Sequence, residues 1–557
     1  MNILKYIAVA TLLTAGSNAL LAQTAAVKKA DESVFTLTTF DKNGSILASA
    51  HGVFVVSDGT AISNLKPFVG AVRAVAIDKK GNSHDVERMI GADELYDVAK
   101  FKVAGTTKSS LVATSPAGAN ATLWLVPFGT KGAKPISAQV KSVETFMDKY
   151  SYYIFPTSMP DNTEACPFVN DQGQVVGIMQ TSKTGDETHA TDAAYVNSLA
   201  LTGLTFNNAT MQSIGIPALL PKDKDQAMLA LMVMKQSADS LKLDAAISDF
   251  ISLFPNLMDG YTDRAQLLVD NNRFDEARRC METALSNVDE KDDAHYNYAR
   301  LIYMKELYKA DKAYEPWSLD KALEEIHAAC AIKDLPMYRN TEAEILYAKK
   351  DYQKAYDIFM QLNETNMKSG DLFYNAALCK ENMKAPDTEI LALLDSAVNN
   401  ADTLNIRLAS KYFLMRGGVY NRMKNYRQAV FDYTRYDVLN RGSLGADFYY
   451  MRSGVEVNAK LFKQALTDLD LAVYLDPKEP VYIAEKASLQ LRLNLVAEAM
   501  ETAKKAIEVA PEFSDSYLVL GLAQIKSGKK SEGIANLNKA KEMGNSQAQT
   551  LIDKYAK

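Results

Sequence analysis

Side chains able to attack an electrophile, relay a proton or hold a soft metal are scarce in these 557 residues, which contain four cysteines and five histidines. Cys166, Cys280, Cys330 and Cys379 lie far apart, three of them in separate stretches of helical periodicity. That spacing is neither a disulfide framework nor a zinc pattern, so four free thiols, no metal site and no cofactor are expected. His51, His84 and His189 are scattered through strand or turn contexts, where the default is a solvated or locally hydrogen-bonded ring. A pair of carboxylates could act as acid and base on a glycosidic bond, but nothing else in the chain supports that chemistry.

The elements that would position such groups are short strands in the first third of the chain. Gly52 to Phe54-Val55-Val56 is an apolar run closed by Asp58-Gly59, and Val175-Val176-Gly177-Ile178-Met179 is a buried-type run. The segment Glu164 to Ile178, EACPFVNDQGQVVGI, resembles the nucleophile segment of trypsin-like serine proteases of the HtrA sort, GNSGGPLVN followed by GxVVGI. Asp97-Val98-Ala99-Lys100-Phe101 resembles that family's aspartate strand, and Gly59 to Lys66 resembles the strand that carries its histidine. The resemblance covers roughly residues 31 to 200, in the family's order, and implies an all-β double barrel of the trypsin-like kind.

The same resemblance implies that the catalytic triad has degenerated. With Pro167 on the family's proline, Glu164 takes the serine's place and Lys66 the histidine's, while Asp97 keeps its position. In the triad mechanism the imidazole takes the hydroxyl proton and the aspartate supports the imidazole, so Asp97 alone has nothing to support. Asn162 replaces the first glycine of the oxyanion loop. Cys166 directly precedes the proline, out of the nucleophile's register, and no aligned histidine lowers its pKa. No catalytic residue is therefore expected. Lys66, Asp97 and Glu164 would converge on one cleft as an ion cluster, the alternative being three side chains that point into water.

From about Asp223 onward, helical periodicity with a fixed spacing replaces the strands. Ala465, Ala499 and Gly533 stand 34 residues apart, as do Ala472, Ala506 and Ala540, and Pro477 and Pro511. These positions resemble those of the tetratricopeptide repeat (TPR), where small residues let paired helices approach and the proline ends the unit. The last three units run 446–479, 480–513 and 514–547, and others fit 224–257, 258–291, 292–333 with an insertion around Tyr314 to Trp317, and 410–443. Tyr352, Ala355 and Phe359 mark one more unit, and Ala376 to Ala401 a shortened one, giving about nine repeats in an all-α superhelix. At the sixth position, where chaperone-binding TPRs place carboxylate-clamping Asn or Arg, the last three units carry Met451, Glu485 and Val519.

The organisation read from the sequence is thus a signal peptide over 1–22, with Lys5 before a short apolar core and small residues up to Ala22. A degenerate trypsin-like β domain follows over 23–205, then a linker over 206–223 too apolar to be floppy, then a TPR array with a C-terminal capping helix over 224–557. A net charge of −6 with interspersed signs makes nucleic acid an unsuitable partner. The apolar core is too short to remain as a transmembrane anchor after signal cleavage. The expected function is a non-enzymatic scaffold that binds proteins or peptides, exported to a Gram-negative periplasm or beyond the cell. The alternatives are a serine-type peptidase with a rearranged site and a TPR substrate adaptor, and a cell-envelope assembly factor.

Overall fold

A computed structural model describes residues 24–131, 134–180, 186–236 and 240–555, so the expected signal segment 1–22 lies outside the described residues. The chain divides into two compact units, residues 1–294 and 295–557.

The first unit opens with a short helix, α1 (Ala25–Ala30), and a closed antiparallel barrel. Its strands are β1 (Val34–Phe40), β2 (Ile46–Phe54), β3 (Thr60–Ser63), β4 (Arg73–Ile77), β5 (Ser83–Asp93) and β6 (Val98–Val103), closed in the order β1-β2-β3-β6-β5-β4. Inward-facing Phe35, Phe54 and Phe101 fill it together with Phe68, their rings 4.4–6.0 Å apart. The barrel is narrow at Gly52, where a Cβ would meet the Phe35 ring and lie 2.6 Å from the Ile62 carbonyl. No other residue fits there. The Asp58-Gly59 turn between β2 and β3 is locked by Asp58, which accepts from the Thr60 amide and hydroxyl.

A second sheet of seven strands runs in the order β8-β7-β11-β12-β13-β10-β9, and it is open where the first is closed. It comprises β7 (Thr122–Leu125), β8 (Ile136–Gln139), β9 (Ser142–Phe146), β10 (Tyr150–Phe155), β11 (Pro167–Val169), β12 (Val175–Gln180) and β13 (Thr188–Asp192). Its core is built on Trp124, Tyr153 and the stacked pair Phe155 and Phe168. The segment after β13 lies along the first barrel. Helix α2 (Ala209–Ser213) precedes Ile214 and Ile216, which enter the Phe35 cluster, and Met89 exchanges backbone hydrogen bonds with Pro217 and Leu219.

Two helix pairs complete this unit: α3 (Lys224–Gln236) with α4 (Ser240–Leu253), and α5 (Met258–Asp270) with α6 (Phe274–Asn287). The first pair is tied to the β region by Gln226, whose side chain accepts from the Gly203 amide at 2.9 Å, and by an Arg88–Asp249 ion pair at 3.6 Å.

The second unit repeats the same motif. Its pairs are α7 (Lys291–Tyr308) with α8 (Leu319–Ile332), α9 (Pro336–Ala348) with α10 (Tyr352–Leu362), and α11 (Gly370–Asn382) with α12 (Asp387–Asn399). There follow α13 (Ser410–Arg422) with α14 (Tyr426–Leu439), α15 (Ala446–Asn458) with α16 (Phe462–Leu475), α17 (Pro480–Arg492) with α18 (Val496–Val509), and α19 (Ser514–Lys526) with α20 (Lys530–Glu542). Helix α21 (Ala548–Tyr555) covers the end. Nine pairs are present among the described residues, a TPR-like array. The small-residue rule has a visible cause at Gly521 and Gly533: a Cβ on either would fall 2.6–2.8 Å from the other's carbonyl oxygen. In the insertion between α7 and α8, Trp317 is buried and its indole N–H donates to the Tyr298 hydroxyl. The pair read from sequence as shortened, Ala376 to Ala401, is of full length, because Ser369 caps α11 at the Leu372 amide and starts the helix six residues earlier.

Candidate functional site

The cleft that holds Lys66 and Asp97 is built by two backbone features. Leu65 turns the chain out of β3 into a short 3-10 turn, Lys66–Phe68, with Pro67 at its start. Asp97 sits in the left-handed region at φ +48° just before β6, which aims its carboxylate at that turn. Its Oδ1 accepts from the amides of Leu65 at 3.0 Å and Lys66 at 2.9 Å. The Lys66 ammonium lies 3.3 Å from Oδ2, yet Oδ2 makes no hydrogen bond, and the lysine side chain is 64% exposed while Asp97 is buried. The amides, which cannot move away, are the partners that hold the aspartate, and the exposed ammonium adds little.

Glu164 stands apart from this pair. Its carboxylate has no hydrogen bond or ion pair among the described residues, and it does not line the cleft of about 560 Å³ bordered by Lys66, Tyr96, Asp97, Glu144, Tyr152 and Gln180. The structure therefore brings together two of the three positions, an ion pair rather than a cluster of three.

Around Glu164 the loop is fixed by backbone bonds. Ala165 is buried at φ +61° and donates to the Met179 carbonyl, and Cys166 donates its amide to Thr163 and accepts from Met179. Burial pushes the Cys166 thiol up to about 12, although the Phe128 amide faces its sulfur. A thiol so held is not ionised at neutral pH and cannot act as a nucleophile.

His51 lies beside this loop. Its ring stacks on Phe128 at 5.8 Å, and burial lowers its pKa against the opposing pull of the Asn162 and Phe35 carbonyls. His84 bonds the Ala104 carbonyl, and His189 bonds the Tyr152 hydroxyl.

Sequence reasoning did not find Tyr152 and Gln180 at the cleft. Gln180 is 7% exposed and its Nε2 has no hydrogen-bond partner among the described residues. A signal was present, since Gln180 closes the apolar run that begins at Val175 and so ends β12 on a polar residue. On the array, the sixth position of the unit carries Asn297 in the unit that begins at 292 and Asn375 in the one that begins with α11, both outside the last three units.

A tetratricopeptide-repeat family model matches residues 262–314. No curated protein matches the chain. Among solved structures it is similar to YrrB, described as a TPR protein with an unusual peptide-binding site, at 20% identity over 35% of this chain and 97% of that one, with a TM-score of 0.30. It is also similar to the inactive form of the Rv3671c protease, at 15% identity over 32% of this chain and 91% of that one, TM-score 0.27. The active form of that protease from M. tuberculosis gives 14% identity over 32% and 82%, TM-score 0.28. Likenesses of this size carry no argument about function.

Proposed function

We propose that this chain is an exported, non-enzymatic scaffold in which the TPR-like array binds a protein or peptide and the β region is a trypsin-like domain that has lost its chemistry. The observation that carries the reading is the array itself, nine helix pairs with small residues at the helix contacts and a family match within it. Repeats of this kind expose the first helix of each pair along an extended surface whose usual use is recognition. Loss of chemistry is supported by the positions that would have to react. Lys66 provides no imidazole, Asp97 is committed to two amides, Glu164 makes no hydrogen bond or ion pair among the described residues, and the Cys166 thiol is buried. Export rests on the character of residues 1–22.

The test uses the purified full chain. We expect no labelling by a fluorophosphonate probe and no cleavage of casein, together with saturable binding of a peptide or protein ligand. N-terminal sequencing of the exported protein should begin at Gln23. Turnover of a defined substrate, abolished by one substitution in the Lys66–Asp97 cleft, would overturn the non-enzymatic reading.

A further inference from the structure

Three successive repeats of the second unit share one pocket on their first helices. Tyr303 of α7, Glu344 and Tyr347 of α9, and Asn375 and Leu378 of α11 line it, with Phe359 of α10, over a volume of about 220 Å³. Glu344 and Tyr347 are three residues apart, as are Asn375 and Leu378, so each pair projects from one face of its helix. Phe359 is 2% exposed and belongs to the packed core.

Glu344 is the one charged residue of the six. One of its oxygens accepts from the Asn340 amide at 2.8 Å, and the other has no hydrogen-bond partner among the described residues. Burial raises its pKa, and Arg300 draws it back only in part. The Arg300 guanidinium rests instead over the Tyr296 ring, 5.6 Å from its centroid, and forms no ion pair with Glu344 among the described residues. The Tyr347 hydroxyl accepts from Asn382, whereas the polar ends of Tyr303 and Asn375 have no hydrogen-bond partner among the described residues.

A carboxylate with a spare oxygen, set between phenol rings, has a definite complement. An anion would be repelled, and an apolar group would desolvate the carboxylate further without pairing it. A cation satisfies both the free oxygen and the π faces. The volume falls below the roughly 300–1,000 Å³ of small-molecule sites, so it suits one side chain better than a whole ligand. We propose that this pocket receives the ammonium or guanidinium of a lysine or arginine side chain from a bound peptide segment, with the free Asn375 amide beside it available to the peptide main chain. This rests on the protein-binding reading above and specifies where the partner is gripped and by what chemistry.

The test selects dodecapeptides from a random phage-displayed library on the intact chain and measures the resynthesised peptides by fluorescence anisotropy. The recovered peptides should share a Lys or Arg whose replacement by norleucine weakens binding roughly tenfold or more. Glu344→Gln should weaken the parent peptide by a similar factor and leave the norleucine peptide unchanged, the signature of a direct pair. Because that substitution removes a buried charge, the variant should fold, which its melting temperature verifies, and Tyr303→Leu gives a second probe of the same wall. Selected peptides that bind wild type and both variants equally would overturn the pocket assignment while leaving the binding reading in place. If no peptide is selected, the binding reading itself fails and the pocket with it.

Discussion

Glu456 offers a quantitative check on the electrostatics of the array. It lies on α15 one turn after Arg452, it is 3% exposed, and its Oε2 has no hydrogen-bond partner among the described residues. Arg452 is already engaged by Asp468 of α16 at 2.7 Å and by Asp437 of α14 at 3.0 Å, so it faces three carboxyls with one charge. Burial, reinforced by the adjacent Asp468, pushes Glu456 up to about 8, which leaves it protonated at neutral pH and donating to its neighbour. The unfolded chain releases that proton near pH 4.5. Stability from this group is therefore complete below about pH 4.5, falls as the pH rises, and is spent above about pH 8. A shift of that size integrates to about 4–5 kcal/mol, and relaxation around the buried charge reduces it to an expected ~2–3 kcal/mol. Glu456→Gln keeps a donor toward Asp468 and cannot ionise. Urea unfolding of the two proteins should coincide near pH 4.5 and diverge to ~2–3 kcal/mol in favour of the variant at pH 9. The comparison cancels the titration of the carboxylates that do not interact with Glu456. A difference that stays constant across this range, or a variant that is weaker at pH 9, would refute the assignment.

The aspartate of the cleft and its lysine separate in the same assay. Asp97→Ala strands the amides of Leu65 and Lys66 and should cost about 2–4 kcal/mol, whereas Lys66→Met should cost at most about 1 kcal/mol because the ammonium is mostly exposed. Equal losses would mean that the ion pair, not the amide bonds, holds the turn. Lys384, Lys424 and Lys460 each follow the first helix of a pair at φ +57° to +63°, where the last repeat has Gly528. Glycine at any of these three should stabilise by about 0.5–1 kcal/mol in thermal unfolding, and a loss would show that the lysine side chain makes contacts that outweigh the backbone cost.

The parts of this fold that were legible in sequence are those fixed by close contact of backbones. The 34-residue spacing of Ala465, Ala499 and Gly533 is the trace of helices pressed together where only small residues fit, and at Gly533 even a Cβ would lie 2.6 Å from the Gly521 carbonyl oxygen. Helix caps are weaker signals, and Ser369 before Gly370 reads equally as a loop, which is why α11 starts earlier than the apolar periodicity alone indicates. The cleft was legible in sequence through Lys66 and Asp97 but not as a geometry. That Asp97 spends one oxygen on two amides goes with its positive φ, a backbone state that Ala165, next to Glu164, shares and that the residue types do not announce.

The pocket on α7, α9 and α11 was illegible for a different reason. Its chemistry does not repeat: Leu378 stands 34 residues after Glu344 at the same place in its unit but carries no charge, and Tyr303 is set off from both by the insertion that carries Trp317. Periodicity finds what every repeat needs for packing, and so it passes over what a single place in the array needs for recognition. The polar groups left without partners sharpen the contrast. In the cleft the main-chain amides consume one oxygen of the carboxylate, and the ammonium already lies beside the other. In the array the half-buried Asn340 amide helps to orient Glu344 and leaves its second oxygen open in a pocket the size of one side chain. The first arrangement stabilises a turn at little cost to anything else. The second leaves an acceptor on a half-buried carboxylate open to a bound cation.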